Sequence, residues 1–401
     1  MNLSDLNIAI SNTCNFDYCK VPSPKKVNFS STNEISAFFN DADKEFSLLI
    51  LENIVLKEDI LNKILSKNAN FAFLYSEYYD NVNNYIPLCD YTEGSVRDDF
   101  DFGKCLIVNN RLAKEAVKTL DKEISLAGFY DFRLQMSVLG KIIKTENFYT
   151  LYNIENKDFE TAHFAYCEPR NQNYQKEAEK AFTKFLKQIN AYIQPVNNEV
   201  KDFDKIVNSY KTRLSVIIPV RNRKNTIQDA INSALGQKTN FQFNVIVVDN
   251  FSTDGTTEKI DEIKDGRLIH VVPTKKNLGI GGCWNLGASN ENCGAFAVQL
   301  DSDDVYSNEN VLQKIGDKFM TEKCGVLIGS YRLTDFEMKP ISDFIIDHKE
   351  YTKENGANNA LRVNGFGAPR CYLTELVRIE KFKNFSYGED YDLCLRLSRK
   401  Y

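Results

Sequence analysis

The sequence is poor in histidine, and its cysteines are not arranged in metal-binding pairs. It contains 3 histidines and 10 cysteines in 401 residues. Cys14 and Cys19 form one C-x4-C spacing, and the other cysteines are scattered singly. Structural zinc sites usually take their ligands from C-x2-C pairs, so we expect none here. Isolated thiols of this kind predict reduced, mostly buried cysteines.

Long apolar runs are also missing. The longest ones, such as "LSVIIPV", have the length of a strand and are far too short to cross a bilayer. The N-terminus "MNLSDLNIAI" has no basic segment followed by a long apolar one, so no signal peptide is expected. We therefore expect a cytoplasmic protein without a transmembrane segment, with peripheral association at the inner face of the membrane left open.

Concentrated positive charge is lacking as well. The net charge is -5, and no long basic run occurs. Nucleic-acid binding depends on a concentrated cationic face, so this class of partner is not expected. A small anionic ligand needs only a few local donors and stays open.

Strand and helix patterns divide the chain into three regions. Residues 1–165 interleave strand-like runs with helical patterns, and residues 166–212 contain an amphipathic helix followed by a polar connector. From 213 to 401 apolar strands alternate with helices, the first of which is expected to begin with a capping box of Thr226 and Asp229. This alternation predicts an α/β fold, a mostly parallel sheet with helices on both faces. Ligands of such sheets bind beyond the carboxyl ends of the strands.

Acids stand where two of these strands end. "VIVVD" ends at Asp249, and "LDSDD" brings together Asp301, Asp303 and Asp304. Mg²⁺ and Mn²⁺ prefer carboxylate oxygens and commonly share their remaining positions with phosphate. The alternative is that each aspartate caps the turn after its strand, as we expect Asp254 to do before its glycine. Clustering at two strand ends favours a metal–phosphate site.

Five segments, taken in order, resemble family 2 glycosyltransferases of the GT-A fold. They are "LSVIIPVRN", "VVDNFSTDGT", "NLGIGGCWNLG", "LDSDD" and "GEDYDLCLRL". The resemblance implies a GT-A nucleotide-diphospho-sugar transferase domain over residues 213–401. It also implies inverting, metal-dependent transfer of a sugar from a nucleotide-sugar donor, with a UDP-type donor favoured. The acceptor would be a hydroxyl of a carbohydrate or lipid-linked molecule, in surface-polysaccharide or glycoconjugate synthesis.

The resemblance also assigns a donor pocket. Asp249 would accept a hydrogen bond from the base, and Asn250 stands where many relatives have a second acid. The glycine-rich "NLGIGG" segment is expected to approach the donor phosphates or sugar closely. The donor-binding residues implied in this way are Pro219, Arg221, Asp249, Asn250, Asn277, Gly279, Asp301 and Ser302.

Metal and catalytic residues follow from the same resemblance. Asp303 would ligate Mn²⁺ or Mg²⁺, Asp301 would contact the ribose or a metal-bound water, and Asp304 would belong to the turn. Asp390 would be the general base that takes a proton from the acceptor hydroxyl, and Glu389 would orient the acceptor. The alternative for these two acids is stabilisation of a helix N-terminus. A structural i,i+4 pair is expected within the same helix, between Asp392 and Arg396.

Residues 1–165 carry a fainter echo of the same fold. Glu52 and Asn53 stand where the metal-binding acids would be, and Asp131 stands near the position of the base. A degenerate GT-A-like domain with a structural or acceptor-binding role is implied, joined by a helical linker over 166–212. Related enzymes continue beyond the segment that ends here at Tyr401, so we expect the catalytic domain to be C-terminally truncated.

Two other functions compete with sugar transfer. A sugar-nucleotide pyrophosphorylase is expected to carry a glycine-rich loop with a basic tail directly after its first strand, where this chain has "PVRNRKNT". A non-catalytic nucleotide- or carbohydrate-binding scaffold would not need both "DSD" and "ED". The sequence therefore favours the transferase.

Overall fold

The computed structural model describes residues 3–15, 21–67, 70–152, 165–195 and 199–401. The chain forms two compact units: Met1–Tyr192 with Leu361–Val363, called the N-terminal unit, and Ile193–Ala360 with Asn364–Tyr401, called the C-terminal unit. Cys19, His163 and the start of the expected polar connector at Asn197 lie outside the described residues. In the described ranges, every helix is too short or too polar to span a bilayer.

The N-terminal unit contains a six-stranded sheet of order β2-β1-β3-β8-β5-β9 and a four-stranded sheet of order β4-β10-β6-β7. In the larger sheet β8 runs antiparallel to its neighbours, and the other pairs are parallel. The strands are β1 (Asn7–Ser11), β2 (Lys25–Val27), β3 (Phe46–Ile50), β4 (Ile54–Leu56), β5 (Phe73–Ser76), β6 (Tyr78–Tyr79), β7 (Tyr85–Ile86), β8 (Cys105–Asn109), β9 (Ile142–Thr145) and β10 (Tyr149–Leu151).

Central strands of this unit are buried along their whole length, as apolar runs without alternation predict. Every residue of β3 and β8 is buried. Two helices begin at side-chain caps: Ser31 accepts a hydrogen bond from the Glu34 amide, and Asn109 accepts one from the Leu112 amide. The α-helices are Thr32–Asp41, Glu58–Lys67, Asn110–Ala116, Gly128–Leu139 and Gln172–Gln188, with short 3-10 turns at Leu3–Asp5, Val117–Thr119, Ala165–Cys167 and Pro169–Asn171.

The amphipathic helix expected as part of a linker is instead part of the N-terminal unit. It spans Gln172–Gln188, and Ala178, Phe182 and Phe185 on its apolar face are buried. These side chains form one core cluster with Tyr130 and other residues of the helix Gly128–Leu139. A linker helix would leave its apolar stripe in water, and burial of that stripe is what fixes this helix to the unit. The boundary at 165/166 is therefore wrong for this helix.

The C-terminal unit is built on one six-stranded sheet of order β13-β12-β11-β14-β16-β15. The first four strands in this order are parallel, and β16 is antiparallel to both of its neighbours. This arrangement confirms the predicted mixed α/β fold with a mostly parallel sheet. The strands are β11 (Leu214–Val220), β12 (Phe243–Asp249), β13 (Leu268–Val271), β14 (Phe296–Gln299), β15 (Val326–Ile328) and β16 (Arg370–Leu373).

One expected helix cap in this unit is wrong. Thr226 directly precedes its helix, but its side chain caps no amide, and its hydroxyl is buried without a hydrogen-bond partner among the described residues. The carbonyl of Arg223 accepts the amides of Thr226 and Ile227, so the helix is entered through a backbone turn. The helices are Phe203–Asn208, Ile227–Leu235, Thr256–Asp261, Ile280–Ser289, Val311–Glu322, Gly356–Asn359, Thr374–Glu380 and Glu389–Leu397.

Most of the cysteines in the described part of the chain are buried, and none of these cysteines forms a disulfide. Burial raises the pKa of the Cys283 and Cys394 thiols to about 11. A thiol with so high a pKa is a poor nucleophile. The expectation of mostly buried, unbridged cysteines is confirmed for the described residues.

Candidate active site

The residues singled out from the sequence gather at one edge of the C-terminal sheet. Strand register aligns Val220 with Asp249 across β11 and β12, and Ile217 with Gln299 across β11 and β14. Because β16 runs the opposite way, its first residue, Arg370, starts at the edge where these parallel strands end. This is the edge at which open α/β sheets bind ligands.

Asp249 is held by the turn that follows its strand. Its side chain is 1% exposed, one oxygen accepts a hydrogen bond from the Ser252 amide at 3.0 Å, and the other accepts one from the Thr257 hydroxyl at 2.5 Å. His270 Nε2 lies 3.7 Å from the second oxygen. Both oxygens are thus occupied by local partners, which is the capping alternative. A role for Asp249 in accepting a bond from the base stays a prediction.

Asn250, the next residue, has a buried side-chain oxygen that is available as a hydrogen-bond acceptor. Its amide nitrogen Nδ2 donates to the Leu278 carbonyl at 2.9 Å, and its backbone amide donates to the Val220 carbonyl at 2.8 Å. The side chain is 9% exposed, and Oδ1 accepts no hydrogen bond within the described residues. Because Nδ2 needs an acceptor, the orientation of the side-chain amide is fixed, and Oδ1 remains available to a donor.

The loops after β11 and β12 are joined by polar contacts. Asn222 has a φ of 55°, and its Oδ1 accepts the Thr253 amide at 2.8 Å. Asp254 accepts bonds from the amides of Lys224 and Thr256, which confirms its turn-forming role. A further bond from the Thr256 hydroxyl is the main cause that lowers the pKa of Asp254. Pro219 is partly buried in the strand, and Arg221 is exposed beside it.

The glycine-rich segment packs against protein rather than facing an open pocket. A Cβ at Gly279 would lie 2.6 Å from the backbone carbon of Phe385, and one at Gly281 would lie 2.0 Å from the Lys383 carbonyl oxygen. Asn384 fastens the contact, because it accepts the Gly279 amide at 2.8 Å and donates to the Asn277 carbonyl at 3.0 Å. In the structure the close approach to these glycines is made by residues 383–385, and the expected approach of donor phosphates stays a prediction.

Substituting Gly279 with alanine tests this packing. We expect Gly279→Ala to lower the free energy of unfolding by about 1–3 kcal/mol, because the added methyl must displace backbone. Gly266→Ala is the matched control, since nothing lies within 4 Å of its Cβ position, and its change should stay within about 0.5 kcal/mol. Chemical denaturation measures both. A Gly279→Ala variant of unchanged stability would return the glycine to a ligand-binding role.

The acids after β14 occupy different environments. Asp301 Oδ1 accepts a hydrogen bond from Gln299 Nε2 at 2.9 Å, and burial raises the pKa of its carboxyl group. Asp303 is exposed, with Arg223 Nε 3.3 Å from its Oδ2. Asp304 donates its amide to the Asp301 carbonyl in the turn, in line with the structural role expected of it. Ser302 is buried at 7% exposure between them.

Asp301 and Asp303 fit part of a divalent-cation site. Carboxylate oxygens suit Mn²⁺ and Mg²⁺, and the charges of Asp303 and Asp390 add to the burial that raises the pKa of Asp301, so a cation would favour the ionised carboxylate. In the described residues, however, no group of three or more His, Cys, Asp or Glu side chains could hold a metal ion. The two aspartates could supply only some of the ligands, and Arg223 would have to give way at Asp303.

A buried arginine joins this cluster to the expected base. Arg370 is 9% exposed, and its Nη1 lies 2.7 Å from Asp390 Oδ2. Gln299 Oε1 accepts hydrogen bonds from Arg370 N at 3.2 Å and Nη1 at 3.1 Å, while Gln299 Nε2 donates to Asp301. Asp301, Gln299, Arg370 and Asp390 are thus joined by hydrogen bonds and one ion pair into a continuous set, called here the carboxylate network.

The helix Glu389–Leu397 carries the two acids in its first turn. It begins after Gly388, whose φ of 75° is in the left-handed region that favours glycine. Glu389 is buried at 6% exposure, and burial, followed by the charge of Asp390, raises the pKa of its carboxyl group. Asp392 Oδ2 accepts a hydrogen bond from Arg396 Nε at 3.0 Å, which confirms the structural pair expected there.

Gln299 and Arg370 were not predicted from the sequence as site residues. Gln299 directly precedes "LD", and Arg370 begins a strand, "RCYL", that was not recognised. A polar residue in an otherwise apolar strand is a signal, because a buried charge is retained only when it is paired. Without the antiparallel strand β16, nothing in the spacing brings Arg370 to the edge where Asp301 lies.

In the N-terminal unit the counterparts of these acids have structural partners. Asp131 is fully buried, and its Oδ2 accepts bonds from the Asp121 amide and from Lys184 Nζ at 2.8 Å. Glu52 pairs with Lys104 at 3.2 Å, and Asn53 accepts the Asn15 amide. A fully buried carboxylate is out of reach of a substrate, so Asp131 does not have the surroundings of a base.

Residues 215–371 match the model of glycosyl transferase family 2. This part of the C-terminal unit is therefore similar to a glycosyl transferase family 2 domain. The matched range includes the strand ends, the Asp301–Asp304 turn and Arg370, and it stops before the helix that carries Glu389 and Asp390.

Curated proteins that are similar to this part of the chain are named as glycosyltransferases. The chain is 30% identical over 160 residues to the putative teichuronic acid biosynthesis glycosyltransferase TuaG of Bacillus subtilis, covering 38% of this chain and 60% of TuaG. It is 34% identical over 108 residues to the UDP-Glc:alpha-D-GlcNAc-diphosphoundecaprenol beta-1,3-glucosyltransferase WfaP of Escherichia coli, covering 25% of this chain and 39% of WfaP. The chain spans between 20% and 60% of the length of the first relatives it matches.

A solved structure of S. aureus TarS 1-349 in complex with UDP-GlcNAc aligns with 46% of this chain and 53% of TarS, at 23% identity and a TM-score of 0.38. At this score and identity the likeness is one of fold alone.

Proposed function

We propose that the C-terminal unit transfers a sugar from a nucleoside-diphosphate donor to an acceptor hydroxyl. The observation that carries this proposal is the carboxylate network, which links the Asp301–Asp303 cluster to Asp390 at the ligand-binding edge of the sheet. Relatives named as glycosyltransferases support it. The proposed catalytic region is 213–401, and the proposed setting is the synthesis of a surface polysaccharide or glycoconjugate.

In the proposed reaction Asp390 acts as the general base. It takes the proton of the acceptor hydroxyl while that oxygen bonds to the anomeric carbon, and the bond between this carbon and the diphosphate oxygen breaks. The electron pair leaves with the diphosphate. One base facing one leaving group gives a single displacement with inversion. Glu389, buried beside Asp390, would orient the acceptor.

The donor would lie across the ends of β11, β12 and β14. Asn250 Oδ1 is a buried acceptor without a partner in the described part of the chain, and the N3–H of a uracil ring is a donor of the matching kind. Leaving such an acceptor unpaired costs about 1–3 kcal/mol. The unpaired Asn250 oxygen thus supports a UDP-type donor, the type that the name of WfaP includes. Pro219, Arg221 and Ser302 would line the same pocket.

Asp303, with Asp301 beside it, would hold Mn²⁺ or Mg²⁺. When bound, the cation supplies charge neutralisation to the diphosphate leaving group. Arg223, which lies 3.3 Å from Asp303, could then turn to a phosphate oxygen. The acceptor is proposed to be a carbohydrate or a lipid-linked sugar.

The proposal is tested with a panel of UDP-, GDP- and TDP-sugars in the presence of Mn²⁺ or Mg²⁺. Release of nucleoside diphosphate with a glycan or lipid-linked acceptor, and slow release into water without one, is the expected result. Binding of UDP without turnover of any donor would leave only the scaffold function. No binding of any nucleotide would contradict the transferase.

Replacement of Asp303 tests the cation. We expect Asp303→Asn to weaken Mn²⁺-dependent UDP binding by about tenfold or more. Changes to residues that only hydrogen-bond a metal ligand already cost about 10–100-fold in metal affinity, and Asp303 is itself a proposed ligand. Calorimetric titration with and without Mn²⁺ measures the effect. Asp343→Asn, another exposed acid of the same unit, is the control. Equal metal-dependent binding by Asp303→Asn would show that the cation is held elsewhere.

A further inference from the structure

A cavity in the N-terminal unit has no part in the proposed transfer. Its volume is about 340 Å³, near the lower end of the range for ligand pockets, roughly 300–1,000 Å³. Leu51 follows β3, and Phe102 and Gly103 precede the antiparallel β8, which pairs Ile50 with Cys105. The cavity therefore lies at the edge of the sheet where the parallel strand β3 ends, which is where α/β folds bind ligands.

Aromatic rings supply much of the cavity wall. They come from four separate segments of the unit, and several keep part of their surface accessible. Phe102 is packed edge-on against Tyr75 at 5.2 Å between centroids, so the wall is held rigidly. The ring-bearing residues of the lining are Phe29, Phe100, Phe102, Phe129, Tyr130 and Tyr174. Flat apolar faces of this kind pack against the C–H face of a sugar ring as well as against other rings.

The cationic side chain of the lining is already fully engaged. Arg133 is 3% exposed, and its guanidinium donates to the carbonyls of Ser95, Val96 and Arg97. It also lies 4.6 Å from the ring centroid of Tyr130. These contacts turn both terminal nitrogens of the guanidinium toward the backbone and not toward an anionic ligand.

Polar groups of the lining are acceptors and a hydroxyl. Asp98 Oδ2 is 2.6 Å from Arg362 Nη1, and its Oδ1 takes no hydrogen bond from the described residues. Asp101 Oδ1 accepts the Gly103 amide at 2.7 Å, which leaves its second oxygen available. The Tyr174 hydroxyl is in no hydrogen bond with a described residue, whereas Tyr130 donates to the Val96 carbonyl. A purely apolar ligand would leave these groups without hydrogen-bond partners.

We propose that this cavity is a binding site for a neutral carbohydrate. A pyranose ring would pack on the aromatic wall, and its hydroxyls would donate hydrogen bonds to Asp98 and Asp101. The carboxylates of Asp98 and Asp101 are balanced by the guanidinium groups of Arg362 and Arg133, so no net charge calls for an anionic or a cationic ligand. There is room for roughly one or two sugar rings. The proposal does not depend on transfer by the C-terminal unit, although a glycan held here would belong to the acceptor class of the proposed reaction.

The test uses saturation-transfer NMR on the full chain. The probes are methyl glycosides of glucose, galactose and N-acetylglucosamine and their disaccharides, with UDP as the anionic probe and choline as the cationic one. We expect at least one neutral glycoside to receive saturation at its ring C–H protons. Asp101→Asn and Tyr174→Phe remove little volume and keep the Gly103 bond, and together they should reduce the signal at least about fivefold.

Matched controls lie in the same unit but outside the cavity. Tyr85→Phe and Asp59→Asn change an exposed tyrosine and an acid of the helix Glu58–Lys67, and both should leave the signal unchanged. Absence of saturation for every neutral glycoside would overturn the proposal, and so would equal signals in the cavity variants. Preferential binding of UDP or choline that is lost in those variants would overturn it in favour of a charged ligand. Unchanged UDP titration of the cavity variants separates this site from the donor site.

Discussion

Replacing Asp390 with asparagine is expected to lower the rate of sugar transfer by about 10²–10⁴-fold, the usual contribution of a general base. Nucleotide binding should change by less than about threefold, because Asp390 lies on the helix after the turn at Gly388 and not at the strand ends that would hold the donor. Asparagine keeps one of the two acceptor oxygens of Asp390, so it can face Arg370, as Oδ2 does, or the Tyr391 amide, which bonds Oδ1 at 2.6 Å, but not both. Initial rates at saturating donor, together with UDP titration, measure the two effects.

The helix offers its own control for this substitution. Asp392→Asn alters an acid in the same turn, paired with Arg396 at 2.9 Å, and a partly exposed pair of this kind contributes only about 0–1 kcal/mol. Its rate of transfer should stay within about threefold of the parent. If Asp390→Asn retains more than a tenth of the parent rate while the fold is intact, the base is another group, and buried Glu389 becomes the first candidate.

Agreement between sequence and structure is closest where local pattern alone decides the element. β11 spans Leu214–Val220, the seven residues of the apolar run, and β12 ends at Asp249, where the acid was expected. Continuous apolar runs bounded by turn residues leave a strand few alternatives. The same locality explains why Asp254 was identified as a turn former, since it accepts the amide and the hydroxyl of Thr256 two positions later.

Contacts whose partners come from distant segments were not predicted. The atoms that exclude a side chain at Gly279 and Gly281 belong to residues 383–385, roughly a hundred positions away. Thr226 and Asp229 have capping-box spacing, yet the turn at Arg223 replaces the cap. The first case is a tertiary contact that the local pattern does not contain, and the second is one local turn in place of another.

The helix Gln172–Gln188 shows the same limit at the level of domains. Its periodicity was recognised, but periodicity states only that one face will be buried and not which partner buries it. The partner is the helix Gly128–Leu139, about forty residues earlier in the chain. Domain boundaries depend on that choice, and a spacing rule within one helix does not contain it.

Arg370 is expected to be as important to transfer as the base it contacts. Arg370→Met should lower kcat by about 100-fold, because misplacing a reacting group by an ångström can cost that much, while the KM for the donor changes little. The variant should also lose stability, by about 3–5 kcal/mol when one partner of a buried pair is removed. Arg370→Lys keeps the charge but not the planar guanidinium that reaches Gln299, Phe366 and Asp390 together. Its kcat should therefore fall between that of the parent and that of Arg370→Met.

Loss of stability alone must be separated from loss of positioning. Arg378 is a structural arginine of the same unit, with Nε donating to the Ala288 carbonyl and Nη2 to the Asn290 carbonyl. Arg378→Met should lower the thermal midpoint but leave kcat unchanged at temperatures where the protein is folded. An Arg370→Met variant that behaves in the same way would reduce Arg370 to a structural role.

The decisive measurement is a double-mutant cycle between Arg370 and Asp390. Residues that act through one another are not additive. If Arg370 acts by holding the Asp390 carboxylate, adding Arg370→Met to Asp390→Asn should lower kcat by no more than about threefold further. A full additional 100-fold loss would mean that the guanidinium serves the reaction independently of Asp390, and the carboxylate network would then join two separate contributions at one edge of the sheet.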